Sequence, residues 1–126
     1  MRTLLLGLAL SSTAAFVYSD VIHGCKSGHF CVWTKPDYKG HMFSWTGDDK
    51  HWKEDIFHKD ASWANNVQPK PDVKGYVKVF SEPDFQGNNT VCLGPGDDAT
   101  GGSAPIHQGA SHKWVTSCLE KPVILV

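Results

Sequence analysis

Thiols and imidazoles are the groups of this chain best suited to chemistry, because they act as nucleophiles, proton carriers and metal ligands. The 126 residues include four cysteines and seven histidines. The histidines are scattered, with no His-Glu-x-x-His or comparable ligand spacing, and we expect them at the surface. There is no Gly-x-Ser-x-Gly motif, no free thiol paired with a histidine and no marked pair of carboxylates. We therefore predict that the protein is not an enzyme and needs no cofactor.

The cysteines predict disulfides rather than a metal site. An even number of cysteines in a small exported chain favours disulfide bonds. The four residues allow three pairings, and the short spacing favours Cys25–Cys31, which leaves Cys92–Cys118. Zinc binding is the alternative. It would need a second closely spaced pair, and its thiolates would lie in an oxidising compartment.

The beginning of the chain is typical of a signal peptide. Met1 and Arg2 precede a short apolar run over residues 4–10, which is followed by small residues. We predict that residues 1–19 are removed and that residues 20–126 form a single secreted, extracellular domain. Cleavage after Ala15 is the competing choice.

Charge and hydropathy exclude several classes of partner. The formal net charge is −1 and no block of basic residues is present, so nucleic acids and anionic membranes find little electrostatic attraction. No other apolar stretch approaches membrane-spanning length. The sequon Asn88-Asn89-Thr90 makes Asn88 a candidate for glycosylation.

The strands predicted to carry these groups arise from an internal duplication. Residues 33–40 and 80–87 both run aromatic, hydroxyl, charged, Pro, Asp, aromatic, polar, Gly. Short strands are predicted at 30–33, 41–45, 62–67, 76–80, 90–93 and 113–118, with turn residues between them, which is typical of a β sandwich or barrel. Residues 48–58 could form a short helical turn that carries Trp52, Ile56 and Phe57.

The duplicated motif resembles the Greek-key motif of βγ-crystallins. In that motif an aromatic residue is followed by aromatic-x-Gly and, about twenty residues later, by a serine. The residues that match are Trp33, Tyr38, Gly40 and Ser62 in the first copy, and Phe80, Phe85, Gly87 and Ser111 in the second. The start of the domain, residues 25–33, resembles a secreted branch of that superfamily, peptidase inhibitor family I36, whose named member inhibits metalloproteinases.

The resemblance implies an all-β fold. We expect a disulfide-braced, βγ-crystallin-like sandwich of two Greek-key motifs related by a pseudo-twofold axis. The first motif would span about residues 25–67, the linker 68–74 and the second motif about residues 75–118. The expected core consists mainly of aromatic and β-branched residues: Phe30, Trp33, Phe43, Trp45, Trp63, Val77, Val79, Phe80, Trp114 and Val115.

The implied function is inhibition of an extracellular protease, most naturally a metalloprotease, by an exposed loop of a rigid monomeric scaffold. The candidate loops are residues 94–103 and 45–51. The alternative is a non-inhibitory secreted module that binds a cell surface or a carbohydrate, or a toxin-like or structural extracellular protein. In such a module, exposed Trp52 and Trp63 would stack on sugar rings.

Calcium binding, which is common among βγ-crystallins, is not expected. The acidic or amide positions of the calcium motif fall at His58-Lys59 and at His107-Gln108, which supply too few hard oxygen ligands. Asp60 lies one residue away and is the alternative ligand, one that would give at most a weak site. We therefore predict no metal ligands in this chain.

Overall fold

The computed structural model describes residues 21–71 and 73–119. The predicted signal peptide and linker residue 72 lie outside these ranges. Within them the chain forms nine strands: β1 (Val21–Ile22), β2 (Cys25–Lys26), β3 (His29–Lys35), β4 (Lys39–Trp45), β5 (Ser62–Asn66), β6 (Tyr76–Glu82), β7 (Gln86–Leu93), β8 (Asp98–Thr100) and β9 (Ser111–Val115). Short 3₁₀ turns, Pro36–Tyr38 and Pro83–Phe85, connect β3 to β4 and β6 to β7.

The strands form two main sheets, and each sheet is completed by residues from the other half of the sequence. One sheet has the order β4-β3-β5-β8 and the other β7-β6-β9, while β1 and β2 form a small hairpin. All the strand pairs are antiparallel. Strand β8, from the second half, pairs with β5 of the first half. In return, Asp49 of the first half forms a bridge with His112 in β9.

Strand β3 is buried on both faces. Successive side chains of a strand point to opposite sides of its sheet, and each side of β3 packs into a different cluster. Phe30 and Val32 enter the main core. That core also contains Trp52, Ile56, Trp63, Val77, Val79, Val91 and Leu93. Cys31 and Trp33 point the other way, into a second cluster with Cys25 and Ala64, against which Ile22 of the N-terminal hairpin and Tyr38 pack.

Two disulfides brace the ends of the sandwich. Cys25–Cys31 fastens the N-terminal hairpin to β3, and Cys92–Cys118 fastens β7 to the segment that follows β9. The described part of the chain contains no free cysteine. It also contains no helix that is long and apolar enough to cross a membrane.

The predicted fold class is confirmed, and the differences from the predicted elements are local. All six predicted strands are present, although β7 begins earlier, at Gln86, and β9 begins at Ser111. The hairpin β1–β2 and strand β8 were not predicted. Residues 48–58 contain one hydrogen-bonded turn, in which the Lys53 carbonyl accepts the N–H groups of Ile56 and Phe57, each at 2.9 Å.

Candidate functional site

Each motif serine closes the corner of its own half. The Ser62 hydroxyl donates to the Lys35 carbonyl at 2.8 Å and accepts the Tyr38 N–H at 3.0 Å. In the second half, the Ser111 hydroxyl donates to the Glu82 carbonyl at 2.7 Å and accepts the Phe85 N–H at 3.1 Å. Both serines are fully buried. Their hydroxyls therefore hold the scaffold together rather than face a reactant.

The aromatic corners also need their glycines. Gly40 and Gly87 have φ of +82° and +79°, and a Cβ atom at either would overlap the hydroxyl oxygen of Thr34 or Ser81. These two hydroxyls accept the backbone N–H groups of His41 and Asn88, one residue before ladder pairing resumes at Met42 and Asn89. The motif glycines thus allow an approach that a larger residue would prevent.

At the first calcium-motif position, the side chains are engaged in protein contacts. The His58 imidazole Nε2 lies 3.0 Å from the Ser81 carbonyl oxygen. Asp60 is fully buried, and its carboxylate accepts N–H groups from Gln108, Gly109 and the Trp63 indole at 3.1, 2.9 and 2.8 Å. Within residues 21–71 and 73–119, no group of three or more His, Cys, Asp or Glu side chains could hold a metal ion.

Trp52 and Trp63, which the alternative function would need as exposed sugar platforms, are buried, so that expectation is wrong, whereas the expected core position of Trp63 is confirmed. Trp52 and Trp63 are 1% and 0% exposed. Each indole N–H has a buried acceptor, which removes the usual reason for a tryptophan to keep its polar edge in water. The acceptor is the His112 imidazole Nδ1 for Trp52, at 2.9 Å, and the Asp60 carboxylate for Trp63.

His112 is likewise not a surface histidine. Its Nε2 donates to the Gly47 carbonyl at 2.8 Å, which leaves Nδ1 without a proton to accept the Trp52 N–H. Burial lowers the pKa of His112 from 6.5 to about 4, although the Gly47 hydrogen bond and the nearby Asp49 and Asp48 carboxylates act in the opposite direction. The ring is therefore neutral at physiological pH.

One candidate loop, residues 45–51, is turned toward the protein. Asp49 accepts the Trp45 indole N–H and the His51 N–H, each at 3.0 Å, and its backbone pairs with His112. The Asp48 carboxylate accepts the backbone N–H of Trp114 at 2.9 Å. These contacts use the loop to close the sandwich, and they leave it without a projecting apolar side chain.

The other candidate loop, residues 94–103, is more ordered than its glycine content suggests. Asp97 closes its first turn by accepting the Gly94 N–H at 3.0 Å, and its carbonyl accepts the Asn65 N–H at 2.9 Å. Strand β8 follows within the same segment. Ser103 then closes a turn on Thr100. None of the large apolar side chains exposed in the described chain lies in this segment.

An exposed apolar side chain occurs just after this segment, at Ile106, which is 39% exposed. The stretch 104–109, which connects to β9, was not among the predicted loops. Asp60 fixes its end, because the Asp60 carbonyl accepts the His107 N–H at 2.6 Å and the Asp60 carboxylate accepts the next two N–H groups. The sequence does place Pro105-Ile106 beyond the last glycine of the loop, which is the signal that could have identified it.

The N-terminal hairpin is attached to the first aromatic corner through His23. The His23 and Tyr38 rings are stacked, with centroids 3.6 Å apart and planes 4° apart. The His23 Nε2 lies 2.9 Å from a carboxylate oxygen of Asp98 in β8. Partial burial, followed by the charge and hydrogen bond of Asp98, raises the pKa of Tyr38. This cluster therefore joins three separate segments of the chain.

Asn88 lies on β7, which is an edge strand of its sheet, and is exposed. A glycan at this position would project from the edge and would hinder pairing with another chain.

A shallow cavity of about 390 Å³ lies beside the linker. Trp114, Lys70 and Lys74 are among its lining residues. Trp114 is half-buried, and its indole N–H is buried without a hydrogen-bond partner among the described residues. A half-exposed tryptophan and two lysines therefore meet at this concave surface.

Comparison with known proteins agrees with this geometry. The model of a family described as peptidase inhibitor family I36 matches residues 22–93. No curated protein matches the chain significantly. Among solved structures, a βγ-crystallin from an archaeon is 16% identical, with a TM-score of 0.54, and the alignment covers 71% of this chain and 100% of the archaeal chain. A βγ-crystallin from Ciona intestinalis is 19% identical, with a TM-score of 0.54, over 69% of this chain and 99% of that one. The likeness to these structures establishes the fold.

Proposed function

The chain belongs to peptidase inhibitor family I36, and on that premise we propose that it is a secreted, monomeric inhibitor of extracellular proteases, with metalloproteases as its targets. The family match over residues 22–93 is the observation that carries the proposal. The choice of metalloproteases rests on the resemblance to the family's named member. The two disulfides suit the oxidising extracellular environment in which such a protein would act.

The order of the scaffold supports an inhibitory role. An inhibitor gains affinity when its binding loop is fixed before association, because less conformational entropy is then lost on binding. The connections between β7 and β9 are held by the Asp97, Ser103 and Asp60 hydrogen bonds described above. The buried serines and the disulfides hold the strands that carry these connections. Such a chain would also resist cleavage by the protease it binds.

The direct test is a titration of the secreted, oxidised protein against a thermolysin-type metalloprotease, with a serine and a cysteine protease in parallel. We expect stoichiometric inhibition of the metalloprotease, and we expect it to be lost after reduction and alkylation of the disulfides. Inhibition of the serine or cysteine protease alone would retain the inhibitor assignment and overturn the choice of target.

The absence of inhibition in all three assays would overturn the proposal. Binding of a carbohydrate or a cell-surface component would then become the better hypothesis. The cavity that contains Trp114, Lys70 and Lys74 is the observation that favours it, since aromatic rings stack on sugars and lysines attract acidic groups.

A further inference from the structure

We propose that Ile106 is the anchor residue of the inhibitor, and that it enters the apolar primary specificity pocket of the target protease. This inference rests on the proposed function and adds the binding loop and the kind of pocket. The loop is defined here as residues 101–109, between β8 and β9. It shares residues 101–103 with the predicted loop 94–103 and extends beyond it, and it does not include the predicted loop 45–51.

Ile106 combines an exposed apolar side chain with a position in an ordered loop. In the described residues, five large apolar side chains are substantially exposed: Val21, Met42, Val73, Ile106 and Leu119. Val21 belongs to the N-terminal hairpin, Met42 to the edge strand β4, Val73 to the linker, and Leu119 ends the described chain. Ile106 differs from these four because it lies in a loop between two strands that is fixed by hydrogen bonds on both sides.

The N-terminal side of the loop is closed by Ser103. Its N–H and its hydroxyl both donate to the Thr100 carbonyl, at 3.0 and 2.7 Å, and its hydroxyl accepts the Thr100 N–H at 3.3 Å. Gly101 and Ala104 form an additional bridge. The loop therefore leaves β8 in a defined direction.

The C-terminal side is held by Asp60, which comes from the other half of the chain. Three consecutive backbone N–H groups, those of His107, Gln108 and Gly109, donate to Asp60 atoms at 2.6 to 3.1 Å. Asp60 is itself fully buried, and the Trp63 indole N–H orients its second oxygen. Hydrogen bonds to a buried carboxylate are stronger than those between neutral groups. The chain just after Ile106 is therefore rigidly placed.

The side chain of Ile106 is also oriented before any partner binds. A Cβ atom at Gly101 would lie only 3.0 Å from Ile106 Cγ2 and 3.5 Å from Pro36 Cγ. Ile106 thus packs one side against the glycine backbone while 39% of its surface stays exposed. An apolar anchor held in this way loses little rotamer entropy when it is buried by a partner.

The chemistry of the loop indicates the kind of pocket. Residues 103–108 are Ser-Ala-Pro-Ile-His-Gln and contain no lysine, arginine, aspartate or glutamate. A pocket that selects basic or acidic side chains would find no charged partner here, whereas an apolar pocket would bury the exposed part of Ile106. The inference therefore applies to proteases with an apolar primary pocket.

The test compares Ile106→Ala with a matched control, Met42→Ala, in titrations against the metalloprotease. Met42 is 42% exposed, close to the value for Ile106, but lies on the edge strand β4. Truncating an anchor residue of a protein interface typically weakens the binding free energy by about 2 kcal/mol or more, which raises the inhibition constant roughly 30-fold. We expect a loss of roughly this size for Ile106→Ala and a change of less than about 3-fold for Met42→Ala.

Hydrogen exchange of the wild-type protein, alone and in complex with the protease, provides a readout that needs no variant. Protection of residues 103–109 in the complex is expected. If the wild type inhibits, but Ile106→Ala inhibits equally well or residues 103–109 gain no protection, the inference is wrong and the inhibitor assignment stands. If the wild type inhibits no protease, both fall. If Ile106→Ala fails to fold, the exchange experiment decides.

Discussion

Acidification should destabilise this protein through a single buried ring, that of His112. The imidazole is fully buried and has both nitrogens engaged, since Nε2 donates to the Gly47 carbonyl and Nδ1 accepts the Trp52 indole N–H. A second proton would have to be placed on Nδ1, where it would face another N–H donor. The folded state therefore resists a protonation that the unfolded chain accepts readily.

The magnitude follows from the difference between the two pKa values. The pKa of His112 falls from 6.5 to about 4 on folding because the ring is desolvated. Between these values the unfolded state binds more protons than the folded state, so stability rises with pH. The free energy of unfolding therefore has its full value, as far as His112 is concerned, above pH 6.5, and it decreases as the pH falls toward 4. At about 1.4 kcal/mol for each pH unit, the loss over this window is about 3 kcal/mol.

The assay is urea unfolding at several pH values between 7 and 4 for the wild type, His112→Gln and His41→Gln. Glutamine can still accept from Trp52 and donate to Gly47, but it does not titrate. At pH 7 it should lower stability, because the His112 ring packs 4.9 Å from Phe30 and 4.7 Å from Trp45, measured between centroids. The wild type and the exposed-histidine control should each lose about 3 kcal/mol more than His112→Gln over the range. Parallel dependence of stability on pH for all three proteins would show that His112 does not cause the loss of stability in acid.

Two further predictions concern the hydrogen bonds that close the fold. Ser62→Ala and Ser111→Ala each remove a buried hydroxyl that makes two backbone hydrogen bonds, so each should cost about 1–3 kcal/mol in chemical denaturation. The two costs should add in the double variant because the serines share no partner, and a clearly non-additive result would contradict this. Asp60→Asn leaves one of three N–H donors facing an amide N–H, and thermal unfolding should reveal a loss of about 1–3 kcal/mol. An unchanged melting temperature would show that the carboxylate is not the acceptor described here.

The parts of the fold that the sequence predicts are those determined by local chemistry. Each aromatic corner ends at a glycine, Gly40 or Gly87, with φ of +82° and +79°, and a glycine at a turn is a residue type that indicates such a backbone. In strand Tyr76–Glu82, buried Val77 and Val79 alternate with half-buried neighbours, as the period of two in the sequence indicates. Such signals do not depend on what lies elsewhere in the chain.

The parts that could not be predicted depend on contacts between distant segments. Strand β8 lies in a glycine-rich stretch without alternation, and it is a strand because it pairs with Ser62–Ala64 of the other half. The burial of Trp52 likewise depends on His112, 60 residues away, as its hydrogen-bond acceptor. The sequence around Asp60 suggests only a weak cation ligand. Nothing near it indicates that its carboxylate holds a loop 48 residues further on.

The exchange of elements between the two sheets has a consequence for the ancestry of the chain. A single unit, such as the one before the linker, would present strand β5 with an unpaired edge where β8 now lies. Open edges of this kind pair readily with another chain. A one-unit ancestor would have satisfied that edge with a second copy of itself, in a symmetric homodimer that exchanged the equivalent strands. Gene duplication and fusion would make that association independent of concentration, because both copies then belong to one chain.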